Sequence, residues 1–230
     1  MFVTDASLWN QAHDLRGAVT VGWASGDNNP NEVTKDGIYS GFIGLQEIYS
    51  GKKVRSAFIL GSSGKLKRPL ALPISRRQSG NFAPTVSGFS NLIFTGGSLY
   101  WKPNKHDGKV ILHPNLLFYW QDFPTKAYNA DIGQETNSRA STFLGTEFSW
   151  FFDYFFTPPL RLYFVGSVFV PGTHFTDVKG KPITAAQSKA IAARVKALDR
   201  PDRSGFLKER IPNLGDDTAF SFNLGLEYKF

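Results

Sequence analysis

The sequence predicts an all-β, antiparallel fold, and three observations carry that prediction. The stretch Thr218 to Phe230 alternates without a break: Phe220, Phe222, Leu224, Leu226, Tyr228 and Phe230 are apolar or aromatic, and Ser221, Asn223, Gly225, Glu227 and Lys229 lie between them. A strand sends successive side chains to opposite faces, so this segment has one greasy face and one wet face. Comparable alternating runs recur further up the chain, separated by clusters of turn-forming residues. No stretch approaches the roughly 18–20 uninterrupted apolar residues of a membrane helix, and mean hydropathy is -0.23. Strands with one apolar and one polar face, ending on an aromatic residue, fit an antiparallel transmembrane β-barrel. In such a barrel the greasy face meets lipid and the wet face meets a lumen. We read residues 1–230 as one such domain.

In chain order, residues 1–14 are mixed and carry little signal. Gly17 to Ser25 reads as a strand, with Val19, Val21 and Trp23 on one face. A dense turn cluster follows, in which Asp27, Asn29, Asn31, Glu32 and Asp36 are oxygen donors of the kind that bind Ca²⁺. Their spacing departs from the EF-hand pattern and reads as a solvated loop, so no metal is expected. Residues 37–87 contain short strand-like runs (38–48 and 54–60) among Lys52, Lys53, Arg55, Lys65, Lys67, Arg68, Arg76 and Arg77. A long basic connection of this kind is either a functional loop or a solvated surface.

From residue 88 the pattern is regular. A strand lies within Gly88 to Trp101, a polar turn at 102–109, and a strand from Val110 to Gln121. Pro114 falls inside that strand and lacks a donor, so it is expected at a bulge or an unpaired position. A polar loop spans 122–140, strands span Ser141 to Thr157 and Leu160 to Val170, and Pro158-Pro159 breaks the chain between them. Within the connection 171–217, Thr184 to Leu198 has helical spacing at Ile191, Val195 and Leu198. Counted back from the last strand, long and short connections alternate, which puts all the long ones at one end of the strands.

The chain is basic, with net charge +7, and aromatic-rich at 15%, with 21 Phe, 8 Tyr and 5 Trp. Aromatic girdles at a membrane interface and a sugar-binding sandwich both use such a composition. There is no cysteine, which excludes disulfide frameworks and cysteine-based metal or redox sites. No nucleic-acid-binding module is present, so the positive charge points to anions rather than nucleic acid. The N-terminus lacks the charged and apolar regions of a signal peptide.

The end of the chain resembles the terminal strand of bacterial outer-membrane β-barrels. In that class a final Phe after alternating apolar residues is read by the barrel-assembly machinery, and Leu224, Leu226, Tyr228 and Phe230 match that pattern. The segment Trp23 to Asn31, with Gly41 to Gln46 and Tyr49 to Gly51, resembles the porin-like alginate-export family. The resemblance implies bacterial outer-membrane localisation, the lipid bilayer as partner, and a pore lined by basic residues. Six strands are clearly predicted and eight can be drawn. Eight would close a small barrel, whereas six imply the C-terminal part of a larger one.

No catalytic constellation has supportive spacing. His13, His106, His113 and His174 are scattered, and neither HExxH nor GxSxG occurs, so no enzyme activity and no cofactor are expected. The candidate site is instead the polar face. His113, Asn115, Tyr119, Glu147, Asp153, Arg161, Tyr163, Glu227 and Lys229 are expected to line a lumen, with opposite charges pairing across strands. The function expected is diffusion or export of small or anionic solutes, saccharides among them. Two alternatives follow from the same residues: a non-conducting barrel whose loops bind a partner, and a soluble carbohydrate-binding β-sandwich.

Overall fold

The computed structural model describes residues 2–11, 13–26, 54–55, 91–103, 109–182, 185–198 and 213–229. The expectations for the acidic cluster at 27–36, for Lys52, Lys53, Lys65, Lys67, Arg68, Arg76, Arg77 and for Phe230 lie outside these residues.

The strands are β1 (Phe2–Asn10), β2 (Leu15–Ala24), β3 (Leu92–Trp101), β4 (Val110–Trp120), β5 (Lys126–Asn129), β6 (Gln134–Arg139), β7 (Phe143–Thr157), β8 (Leu160–Pro171) and β9 (Ala219–Tyr228). Seven form one sheet in the order β1-β2-β3-β4-β7-β8-β9, and β5-β6 is a separate hairpin. Every neighbouring pair in the large sheet is antiparallel. It is a meander, the simplest way for short turns to connect adjacent strands. Two helices, α1 (Thr173–Val178) and α2 (Ala185–Leu198), lie in the connection between β8 and β9.

The large sheet does not close on itself among the described residues. β1 and β9 each have a strand neighbour on one side only. Six antiparallel steps separate them, so they run in the same direction. Closing the sheet with antiparallel pairing throughout therefore requires an odd number of further strands.

Long and short connections segregate as expected. Residues 25–91, 121–142 and 172–218 join strands at one end, which we term the loop end; 11–14, 102–109 and 158–159 join them at the other, the turn end. At the loop end the connections are tied together. The Asn91 side chain donates to Phe123 O at 2.9 Å and accepts from Phe123 N at 2.7 Å, and Gly26 N donates to Asp122 Oδ2 at 2.9 Å.

Burial is inverted relative to a water-soluble sheet. On one face the large apolar residues are exposed: Phe220 is 75% exposed, Phe222 72%, Leu226 64% and Trp150 48%, with Val19, Val21, Trp23, Leu116 and Phe148 alongside them. The opposite face holds the buried polar side chains Thr20, His113, Asn115, Glu147, Ser149 and Ser167. At its loop-end half this inner face also carries an apolar cluster of Leu92, Phe94, Leu117, Tyr119, Leu144 and Phe169, joined by Phe175 from α1 and by Val54.

Several local expectations are corrected or refined. β1 is a strand, although its two faces are both mixed in character. The stretch read as a plain polar loop at 122–140 contains the β5-β6 hairpin. The predicted helix forms as α2, while α1 was not anticipated because six residues carry too little periodicity. Pro114 faces Trp150 in the regular ladder to β7, and on its β3 side the pairing passes from Ser98–Asn115 to Trp101–Leu112. The position that lacks a donor thus falls, with His113, in the gap of the β3 ladder.

Gly145, with φ +139°, lets the start of β7 pass under β8, where a Cβ would overlap Val170 O. Replacing Gly145 with Ala should destabilise the protein by about 2–4 kcal/mol through strain and overpacking together. A urea titration against the parent protein measures it, and an unchanged midpoint would contradict the account.

Candidate functional site

The inner face divides into a packed half near the loop end and a wetted half near the turn end. The packed half is built around Glu147 on β7, which is fully buried. Tyr119 on β4 donates its hydroxyl to Glu147 Oε2 at 2.8 Å. Ser149 Oγ donates to Glu147 Oε1, and Ser167 on β8 reaches the same oxygen at 3.4 Å. Ser149 and Ser167 also bond each other at 2.9 Å. The two-residue period of β7 sets Glu147 and Ser149 on one face, and the Ser149–Ser167 register brings β8 beside them. Hydroxyls on both carboxylate oxygens supply the partners that burial otherwise removes.

Above this network α1 closes over the loop end. Phe175 packs edge-on against Phe169 at 6.0 Å, and Phe169 against Tyr119 at 6.4 Å. The helix is held to the start of β7 through Ser141, whose N–H donates to Asp177 Oδ2 at 2.7 Å and whose carbonyl faces His174 Nδ1 at 2.8 Å. Burial pushes the His174 imidazole below its ordinary value; the nearby Lys181 lowers it further, while the Ser141 carbonyl and Asp177 oppose both.

The wetted half is charged. Arg161 on β8 bridges its two neighbours, contacting Asp153 on β7 at 3.5 Å and Glu227 on β9 at 2.6 Å. Its guanidinium also lies 5.4 Å from the Tyr163 ring centre, and that ring covers Gly225, where no side chain competes for the space. On the same face, toward β2 and β3, Tyr100 gathers cations: Arg16 lies 5.0 Å and Lys102 5.7 Å from its ring centre, and Lys102 also pairs with Asp14 at 3.5 Å. His113 sits between Tyr100 at 5.7 Å and Phe151 at 6.1 Å. Arg55, from the connection 25–91, lies over Phe151 at 4.8 Å and bonds Asn115 through its backbone N–H.

The predicted site residues on the strands thus fall on the predicted face, but they do not form one continuous lining. Asp153, Arg161, Tyr163 and Glu227 are partly exposed and line the wetted half. His113, Asn115, Tyr119 and Glu147 are at most 3% exposed; the Arg55 N–H bonds Asn115, and Val54 and Phe175 share an apolar cluster with Tyr119. Lys229 lies just beyond β9, its N–H donating to Pro159 O at 2.9 Å. Arg16, Tyr100 and Lys102 were missed: Arg16 and Tyr100 are register partners across β2 and β3, a pairing that sequence spacing does not reveal. Leu224, Leu226 and Tyr228 are exposed, on the apolar face of β9.

No family model matches this sequence, and no curated protein or solved structure matches it either.

Two outcomes follow. Tyr119→Phe removes one donor from a buried carboxylate and should cost about 1–3 kcal/mol. Combining it with Glu147→Gln should cost less than the sum of the two single changes in a double-mutant cycle; full additivity would refute the network. For His174, the folded state holds the imidazole below its ordinary value of 6.5, so it binds fewer protons than the unfolded chain. The stabilisation from docked α1 should therefore be present above pH 6.5 and be lost as the pH falls through the depressed folded value. Protection of the amides at residues 173–178, taken relative to their unprotected exchange rates at each pH, should fall between pH 7.5 and 5, and His174→Asn should abolish that fall.

Proposed function

We propose that this chain forms wall strands of a bacterial outer-membrane β-barrel that passes small anionic solutes, saccharides among them, by diffusion along its polar face. The observation that carries this reading is the inverted burial. Exposed Phe, Leu and Trp side chains on one face suit hydrocarbon, while the charged and hydroxylated face suits an enclosed aqueous or polar interior. The soluble sandwich alternative would bury that apolar face against a second layer, yet its residues remain exposed. The end-to-end difference in connection length is the asymmetry between short periplasmic turns and long outer loops, which would put the turn end in the periplasm. Barrel-assembly machinery reading the β9 signal is the partner this topology requires.

A bilayer does not tolerate open strand edges, so the proposal includes closure. Because β1 and β9 run in the same direction, an all-antiparallel barrel is completed by an odd number of additional strands between them, giving an even total. Among the described residues of the wetted half, Arg16, Lys102, Arg55 and Arg161 stand against Asp14, Asp153 and Glu227, a small cationic excess that supports a preference for anions.

The second reading is a non-conducting barrel, favoured by one observation: Phe175 and Val54 join an apolar cluster on the inner face. Refolding into detergent should give a compact band on a gel that disappears on boiling, and none without detergent. Planar-bilayer recordings should then show discrete conductance. A compact species in plain buffer would overturn the membrane reading, and a silent but folded barrel would favour the second.

A further inference from the structure

We infer that Asn115 and Arg55 form a charge-positioning pair that sets the ion preference of the wall, an inference that rests on the conducting-barrel reading above. Asn115 is 1% exposed on the inner face of β4. Its Nδ2 donates to His113 O at 2.7 Å, which fixes the amide and turns Oδ1 toward the covering segment. Oδ1 accepts the Arg55 backbone N–H at 2.7 Å. The preceding residue, Val54, is fully buried in the apolar cluster. The chain is thus held at two consecutive residues, by a hydrogen bond and by a buried side chain, and neither hold uses the arginine's charge.

The Arg55 side chain is left to the wetted half. Its guanidinium lies 4.8 Å from the centre of the Phe151 ring. The nearest acidic group along the same face of β7, Asp153, is engaged by Arg161 at 3.5 Å. An aromatic platform orients a guanidinium without neutralising it, and leaves its N–H edge able to meet a planar anion. Arg16 lies over Tyr100 on the same half of the wall, while Lys102 beside it is paired with Asp14 at 3.5 Å, so Arg55 adds to Arg16 as a cation held by a ring. Asn115 acts as a positioning residue and Arg55 as the group that faces the solute. The solute class is a small anion with carboxylate-like or halide charge.

The test is the reversal potential of single channels across a potassium chloride gradient, comparing the parent protein with Arg55→Gln, Arg55→Lys and Asn115→Ala. Each variant is first required to give the boiling-sensitive compact band. The parent should prefer chloride, and Arg55→Gln should lower the chloride-to-potassium permeability ratio by about twofold or more. Arg55→Lys, which keeps the charge, should stay near the parent ratio. Asn115→Ala should fall between, since the cation persists but loses its placement. Arg55 is exposed and, among the described residues, its side chain overlies the Phe151 ring, so Arg55→Gln remains informative even if Asn115→Ala fails to fold. Conducting channels whose ratio is unchanged by Arg55→Gln would overturn this inference alone. A folded parent protein that never conducts would overturn the conducting reading together with it.

Discussion

A β-strand cannot choose how many faces it has, and the rest of this structure depends on that constraint. Alternation along β4, β7, β8 and β9 puts every second side chain on one side of the sheet, and the sequence fills that side with Phe, Leu, Val and Trp. In water such a sheet would pack its apolar face against another layer and leave its polar face wet. Here the polar face is the covered one, and Glu147, fully buried, is satisfied by hydroxyls from three strands. A carboxylate in that position is held at little cost only because Tyr119, Ser149 and Ser167 arrive together, which fixes the register of β4, β7 and β8 relative to one another.

The inner face then separates into two environments by simple means. Near the loop end, apolar residues on alternate positions gather Phe175 and Val54 from two long connections, and water is excluded. Near the turn end the same positions carry Arg16, Tyr100, Asp153, Arg161 and Glu227. Arg161 sits between two carboxylates on the adjacent strands, so one cation joins three strands where the sheet would otherwise carry unbalanced negative charge. Arg16 and Lys102 instead lie around an aromatic ring, and Lys102 is also paired with Asp14 at 3.5 Å. The charge pattern of the wetted half follows from which neighbour each cation has.

Much of the fold was legible in the sequence, because strict alternation in β9, β8, β7 and β4 specifies both strand and face. The polar-face positions chosen from that alternation do lie on the inner side. Which of them meet water was not legible: Tyr119 and Glu147 look no different in sequence from Tyr163 and Glu227, yet Tyr119 joins the cluster of Val54 and Phe175 and donates to Glu147, contacts that come from distant parts of the chain. β1 escaped notice because Asp5 and Ser7 share a face with Val3 and Trp9, so neither face is uniform. β5 and β6 are short and polar, and their pairing rests on a tight turn with Gly133 at φ +64° rather than on hydrophobic pattern. The cation cluster at Tyr100 needed the β2–β3 register, which spans the longest connection in the chain.

Contact of the exposed apolar face with lipid hydrocarbon, as proposed, can be read from tryptophan fluorescence. Trp23, Trp101 and Trp150 are 41%, 40% and 48% exposed on that face. The protein refolded into vesicles of lipids brominated along their acyl chains should lose most of its tryptophan emission relative to unbrominated vesicles. Loss should track bromine depth, and in a Trp9→Phe background, which removes the exposed tryptophan of the inner face, a water-soluble quencher should have little access. Emission quenched by the aqueous agent and indifferent to bromine would contradict the account, since the apolar face would then be facing water or protein.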